Sequence, residues 1–206
     1  FVKENGAWKI ARDHLYTTFF GLYDRGWVAG ARPAPKASDK IPPDMPPSEI
    51  YESYPGIYIP AFHYRNPVTG EMPAGQAGPG IEEIPGGVRD AFARISRKVT
   101  RLEDENAIEN LQRAYGFYVD KALWKEAADL FAPNGTLELG GRGVFAGKPR
   151  VLEYLTWLAP GGLTKGKLFN HIQLQPIVHV DPGGHSARGR WRFLVEYAAP
   201  QKSATW

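Results

Sequence analysis

Apolar residues recur at helical spacing through the middle of the chain, from about residue 87 to residue 131. Two stripes follow this spacing, and each predicts one helix. The first stripe comprises Val88, Phe92, Ile95, Val99 and Leu102, and the second comprises Ile108, Leu111, Tyr115, Tyr118 and Ala122. A short third helix is predicted from Trp124 to Phe131, because the turn sequence Pro-Asn-Gly follows it.

The pattern changes to an alternation of period two after this turn. "TLELGGRGVFAG" predicts a strand, a glycine turn and a short strand, and "GKPRVLEYLTWLAPGG" predicts a helix. Residues 168–180 and 187–198 predict two long antiparallel strands joined by the hairpin loop "DPGGH". One face of the first strand is expected to carry Phe169, His171, Gln173, Gln175 and Ile177, and one face of the second to carry Trp191, Phe193, Val195 and Tyr197. Helices followed by a curved antiparallel or mixed sheet indicate the α+β class.

The beginning of the chain has the pattern of a β-hairpin. "ENG" at residues 4–6 predicts a tight turn, and the next strand is expected to place Trp8, Ile10, His14 and Tyr16 on one face. Residues 28–86 contain 12 of the 18 prolines, which predicts a long irregular connector.

Composition excludes several classes of function. The 206 residues carry a net charge of +3, so neither nucleic acid nor a membrane surface is indicated as a partner. No apolar run approaches the ~18 residues that span a bilayer. The absence of cysteine excludes disulfides and thiolate metal sites, and a reducing cytoplasm is the expected compartment. No metal site is predicted, since His179 and His185 lie in a turn without further ligands in fixed spacing.

Two motifs in a fixed order resemble the SnoaL-like domains of the NTF2-like superfamily. They are "W-x-x-x-A-x-L-F-A-x-x-G-T-x-E" from Trp124 and "G-V-F-x-G-K-x-x-V-x-x-Y-L" from Gly143, followed by "N-H" at Asn170 and His171. The resemblance covers residues 100–206 and implies a cone in which a bent sheet wraps a long helix around an apolar pocket. Residues 1–27 resemble the last strands of such a domain. The predicted organisation is therefore the end of a truncated first domain (1–27), a linker (28–86) and a second domain without its last strands (87–206).

An open sheet edge in the second domain is a template for another strand. We therefore expect residues 7–18 to pair beside residues 202–206 or beside residues 136–139, with Trp8, Ile10, His14 and Tyr16 facing the pocket.

The resemblance also implies candidate catalytic residues. Dehydratases of this family use an acid at the end of the first long helix together with a histidine on the sheet, and Asp120 and His171 occupy those places. Tyr115 stands five residues before the acid, where a catalytic tyrosine stands in some members. Related isomerases carry their base at the place of Leu139, which cannot accept a proton. A regular helix points Tyr115 and Asp120 about 140° apart, so both face one pocket only if the helix ends or bends near Asp120.

The sequence thus predicts a pocket for an apolar small-molecule substrate, with Tyr118, Trp157, Trp191 and Phe193 binding the substrate. One reading is a cofactor-independent dehydratase or isomerase of a polycyclic or aromatic hydroxy-carbonyl compound. The alternative is a non-catalytic binding or assembly domain that uses the same pocket or its sheet face. A homo-oligomer through the sheet face is a further expectation. A purely structural interpretation also stays open. In it, Asp120 is an acid at a helix end, and His171, Tyr115 and Tyr118 are core side chains.

Overall fold

The computed structural model describes residues 1–73, 76 and 88–198, and of residues 88–91 it describes the backbone alone. The elements follow one another as expected for the α+β class, which is confirmed. The strands are β1 (Val2–Glu4), β2 (Ala7–Leu15), β3 (Phe131–Leu139), β4 (Gly143–Ala146), β5 (Leu168–Val180) and β6 (Ala187–Ala198). The helices are α1 (Trp27–Gly30), α2 (Val88–Asp120), α3 (Trp124–Asp129) and α4 (Lys148–Leu158).

Helix α2 is a single element of 33 residues, where the two apolar stripes predicted two helices. The stretch that joins the two stripes contains no glycine or proline, and the first glycine after it is Gly116. Nothing in the sequence therefore interrupts the helix between the stripes. The second stripe packs on the sheet and the first is exposed from Phe92 to Leu102, which means that the stripes lie on different faces of one helix. Within the described part of the chain, no helix combines the length and the apolar character that crossing a bilayer requires.

The six strands of the described residues form a four-stranded mixed sheet and a two-stranded antiparallel sheet. The order in the first is β1-β2-β3-β4, with β2 parallel to β3 and the other pairs antiparallel. In the second, β5 pairs antiparallel with β6, as predicted. Strand β1 connects the two sheets, because Val2 bridges Ser186 and the Lys3 N–H donates to the His185 carbonyl at 2.9 Å.

The N-terminal hairpin pairs with the strand at residues 131–139, one of the two places expected for it. Arg12, Asp13 and Leu15 lie opposite Thr136, Leu137 and Leu139 in a parallel ladder. The other expected place, residues 202–206, lies outside the described residues. Asn5 and Gly6 have φ of 52° and 78°, the left-handed conformations that the tight turn of this hairpin requires.

The predicted facing of β2 is correct for its first half and wrong for its second. Trp8 and Ile10 are buried, but the ladder is irregular between Ile10 and Arg12. Beyond the irregularity Asp13 lies beside buried Leu137 and Leu15 packs on the same core, so His14 faces the other side of the sheet. At this irregularity the ladder passes from Phe131 to Thr136, across the Pro-Asn-Gly sequence of β3 that was predicted to be a turn.

A second bulge reverses the predicted facing within β5. The ladder to β6 is irregular between Leu174 and Ile177, and Gln175 has a φ of 53°. Val178 and Val180 therefore pack towards the core, where Gln175 and Ile177 were expected. Pro176 in this stretch has no N–H to donate, which explains the irregularity.

The core lies between α2, α3, α4 and the inner face of the four-stranded sheet. Its fully buried large side chains are Ile10, Phe131, Leu137, Phe145, Val151, Tyr154 and Leu155. A smaller cluster around Trp8, Ile108, Val180 and Ala187 joins the hairpin to β5 and β6. These two clusters fix the end of α2 over the sheet and thereby position Asp120.

The proline-rich connector crosses the outer face of the sheets over the part that is described. Ser48 donates from its N–H and its hydroxyl to Glu138 Oε1, each at 2.6 Å. Arg190 lies over the Phe62 ring at 4.3 Å, and the rings of His63 and His179 are 5.3 Å apart. His63 thus packs against the sheet beside His179.

Candidate functional site

Asp120 is the last residue of α2, and the way the helix ends directs its side chain towards β5. The Leu123 N–H donates to the Tyr118 carbonyl at 2.9 Å and the Ala122 N–H donates to the Val119 carbonyl at 3.0 Å. This bonding pattern closes a helix with one residue in the left-handed conformation, here Ala122 with a φ of 53°. The chain then turns into α3. No further turn of α2 follows Asp120, and its carboxyl can reach β5.

Asp120 and His171 are in direct contact. The backbone N–H of His171 donates a short hydrogen bond to Asp120 Oδ1. The same oxygen lies 3.5 Å from Nδ1 of the His171 ring, and 18% of each side chain remains exposed. Burial lowers the pKa of His171 below its ordinary value, while the charge and the hydrogen bond of Asp120 oppose that shift. The imidazole is therefore held neutral beside a carboxylate that favours its protonated form.

Apolar side chains surround this pair on the inner face of β5 and β6. The Phe169 ring lies 4.6 Å from the His171 ring and 5.7 Å from the Tyr197 ring. Val195 lies directly opposite His171 in the ladder, and Phe193 lies opposite Gln173. Phe193, Val195 and Tyr197 remain partly exposed, so the pair borders an open apolar surface. Of the predicted binding residues, the structure brings Phe193 to this surface.

Tyr115 and Tyr118 pack within or against the core rather than on this surface. The Tyr115 ring makes an edge contact with Phe131 at 5.8 Å, and Tyr118 packs against the same cluster. Because α2 stays regular until Asp120, Tyr115 points away from the pair, as the helical geometry of the sequence required. Burial, followed by the charges of Asp13 and Tyr154, raises the pKa of Tyr115 far above its ordinary value. Its hydroxyl is therefore a hydrogen-bond donor at any working pH.

Trp157 and Trp191 lie in two further places. Trp157, near the end of α4, lines a shallow indentation with Arg142, Phe145 and Tyr154 that has no room for a water molecule. Trp191 packs edge-on against Phe1 at 5.7 Å, within the cluster of the hairpin. A larger open groove of about 720 Å³ lies between two stretches of the connector, 31–37 and 47–56. Neither of these two spaces is lined by Tyr115, Tyr118, Trp191 or Phe193.

Asp13 is a partly buried acid that reasoning from the sequence missed. Its Oδ2 atom is buried and makes no hydrogen bond to any described residue. Burial raises the pKa of Asp13 to about 6. The carboxyl lies close enough to Tyr115 to influence the pKa of that hydroxyl. A strict alternation along β2 placed Asp13 on the outer face, and only the irregularity opposite the Pro-Asn-Gly sequence brings it inside.

The described residues contain no group of three or more His, Asp or Glu side chains arranged to hold a metal ion. The site that they do form consists of a histidine, a carboxylate and an apolar surface. Such a pair is able to accept a proton at the histidine and to stabilise the resulting charge with the carboxylate.

Comparisons with known proteins identify the family of the domain that carries this site. No curated protein matches the chain. Residues 100–206 match the sequence model of the SnoaL-like domain, and this match covers more than half of the chain. The matched region begins within α2 and includes α3, α4, every strand from β3 onward, Asp120 and His171. With its α+β fold of helices on a mixed sheet, this chain belongs to the SnoaL-like domain family of the NTF2-like superfamily.

Proposed function

We propose that this SnoaL-like domain is a cofactor-independent dehydratase or isomerase of a polycyclic or aromatic hydroxy-carbonyl compound. The observation that carries the proposal is the 3.5 Å approach of Asp120 Oδ1 to His171 Nδ1 at the border of an apolar surface. In a substrate of this class, the ring system occupies the surface of Phe169, Phe193 and Tyr197. The carbon next to the carbonyl then faces the imidazole.

In the proposed reaction, His171 is the base. A proton on Nδ1 faces Asp120 and leaves the lone pair of Nε2 free for the proton of the substrate. Removal of the proton from the carbon next to the carbonyl moves its electron pair into an enolate. Loss of hydroxide from the adjacent carbon, with the His171 proton passing to it, yields water and a double bond. Return of the proton to another carbon instead gives an isomer.

Asp120 holds the imidazole in place through two contacts. Its Oδ1 accepts the backbone N–H of His171, which fixes the strand, and approaches the ring Nδ1 at 3.5 Å without a hydrogen bond to it. Its negative charge stabilises the imidazolium that forms during proton transfer. Removing a positioned general base typically costs ~10²–10⁴-fold in rate.

Tyr115 is proposed as the donor to the enolate oxygen. Its support is its place five residues before the acid, where some members of the family carry a catalytic tyrosine. Its burial in the core requires that the carbonyl of the substrate reach past the apolar surface, and Tyr115→Phe tests this assignment separately from the pair. Trp157 and Trp191 remain proposed substrate contacts, each tested by replacement with Leu and measurement of the Michaelis constant.

The alternative function is a binding or assembly domain without catalysis. One observation favours it: the predicted pocket residues are spread over the core, the end of α4 and the hairpin cluster. Turnover of hydroxy-steroids and hydroxy-ketones by the wild-type protein, lost in His171→Ala, supports the enzyme. Saturable binding of the same compounds without turnover supports the binding domain.

A further inference from the structure

The N-terminal half of α2 carries an exposed apolar stripe. Phe92, Ile95, Val99 and Leu102 are exposed by 78%, 59%, 50% and 59%. Four large apolar side chains in a row on one helix are a costly arrangement in water, at ~25 cal/mol for each Å² of apolar surface. Exposed apolar patches of this kind mark interaction sites.

The body of the domain does not cover this stripe because it packs on the opposite side of the helix. Ile108, Leu111 and Tyr115 form the face of α2 that meets the core. At ~100° per residue, the centre of the exposed stripe lies about 170° around the helix from the centre of that face. Residues 95–103 are exposed all around, so this part of α2 projects from the domain. A helix anchored at one end in this way keeps its projecting part preformed.

The spacing of the stripe is that of a coiled coil. Steps of three, four and three residues separate its members, which places Phe92 and Val99 at a positions and Ile95 and Leu102 at d positions of a heptad. A β-branched residue at a with Leu at d favours two parallel strands, and Val99 with Leu102 fits this rule. The next a position is the exposed Asn106, a residue type that fixes register and pairing at such positions.

The charges beside the stripe are complementary to those of an identical helix. Lys98 falls at position g and Glu103 at position e of the following heptad, the two positions that meet across a parallel pair. Two copies in register therefore form two ion pairs, Lys98 of each copy with Glu103 of the other. Neither residue makes a hydrogen bond or an ion pair with any other described residue. An antiparallel pair brings g against g and e against e, which loses both contacts.

From the spacing, the exposure and the charges, we propose that two copies of this chain associate through a parallel coiled coil of their α2 helices over residues 92–106. The surface is separate from the Asp120–His171 site and from the outer face of the sheet. In the dimer, the apolar surface beside Asp120 and His171 thus stays exposed in each copy.

Sedimentation equilibrium of the whole chain over a range of concentrations tests the association. We expect a dimer that Ile95→Glu with Leu102→Glu weakens at least tenfold, because charges then enter the seam. Thr100→Glu with Ala107→Glu is the matched control, since it adds the same charge at two exposed b positions and is expected to leave the dimer intact. A chain that stays monomeric at every concentration, or a dimer that both variants leave unchanged, overturns the proposal.

Cross-linking tests the register, and the absence of native cysteine removes any background. In the parallel pair Ile95→Cys meets its own copy and is expected to form an interchain disulfide under mild oxidation, whereas Thr100→Cys is not. Lys98→Glu and Glu103→Lys should each weaken self-association, and a mixture of the two variants should form heterodimers. Efficient linking of Thr100→Cys, or no preference for heterodimers in the mixture, contradicts the parallel register.

Discussion

Asp120 at the end of α2 contacts both the backbone and the ring of His171 on β5, with Oδ1 lying 3.5 Å from Nδ1. One carboxylate oxygen thus joins the longest helix to the longest strand and faces the only titratable ring on this part of the inner face of β5. Asp120 thus has a structural role through its hydrogen bond to the backbone and an electrostatic role through its approach to the ring. The predictions below separate these two roles.

The electrostatic link between the two residues is measurable by NMR titration of His171. Burial lowers the pKa of His171 and Asp120 opposes this shift, so Asp120→Asn should lower the pKa further. Asp129→Asn is the control, because Asp129 lies on the exposed end of α3 and pairs with Lys125. The link is refuted if Asp120→Asn leaves the titration of His171 where it was.

Asp13 should make the stability of the protein depend on pH. Its folded pKa of about 6 lies above its ordinary value of 3.8, so the folded state binds the proton more tightly than the unfolded state. The contribution of this group to stability is present below pH 3.8 and is lost as the pH rises through 6. The loss amounts to ~3 kcal/mol at ~1.4 kcal/mol per pKa unit.

Asp13→Asn should therefore gain stability relative to the wild type between pH 4 and pH 8, by ~2–3 kcal/mol. Urea unfolding at both pH values gives the difference directly. Asp24→Asn serves as the control, since Asp24 lies in an exposed turn, Tyr23–Arg25, just before the connector. An identical pH dependence in Asp13→Asn and the wild type would show that this carboxyl is not buried.

Asp104 holds the N-terminal hairpin against α2. Its Oδ1 accepts hydrogen bonds from Lys3 Nζ at 2.6 Å and from Trp8 Nε1 at 2.8 Å. Asp104→Ala leaves the buried indole N–H without a partner and should cost about 2–3 kcal/mol in the free energy of unfolding. Glu105→Ala, one residue further along the helix, should cost much less. Equal losses in the two variants would show that the hairpin does not depend on this carboxylate.

Ala122 should be a point of strain next to the candidate catalytic acid. A φ of 53° is unfavourable for any residue with a Cβ, and glycine is the usual residue at this place after a helix. Ala122→Gly should therefore stabilise the protein by about 0.5–1 kcal/mol. Ala107→Gly, in the exposed interior of α2, should instead destabilise it by about 1 kcal/mol. Thermal unfolding of both variants gives the comparison, and destabilisation by Ala122→Gly would be contrary to this account.

Hydrophobic periodicity predicted most of the fold because most of the elements bury one regular face. The antiparallel pairing of β5 with β6 and the helix α4 follow directly from sequence patterns. The docking of the hairpin beside residues 136–139 was one of two places expected from the open sheet edge, and its parallel direction was not predicted. The break predicted in α2 was wrong because the two stripes face different surroundings, the core for Ile108 and solvent for Ile95. The apolar residues of a helix can move from one face to another without any break in the helical backbone.

The two bulges account for the errors on the strands. A single irregularity reverses the facing of every residue that follows it, so Asp13 and Val178 point inward where His14 and Ile177 were expected. Pro176 was a visible signal for the second bulge, whereas the first lies opposite a Pro-Asn-Gly sequence that reads equally well as a turn. The places of Asp120 and His171 were predictable because the resemblance to SnoaL-like domains fixes both positions.

Proton exchange in deuterated water tests the central claim most directly. A panel of hydroxy-steroids and hydroxy-ketones is incubated with the whole chain, and NMR follows deuterium at the carbon next to the carbonyl together with the appearance of product. The account predicts exchange and turnover for at least one compound, both reduced ~10²–10⁴-fold in His171→Ala and also reduced in Asp120→Asn with its folding intact. Exchange that persists unchanged in both variants, or binding of the compounds without any exchange in the wild type, would contradict it.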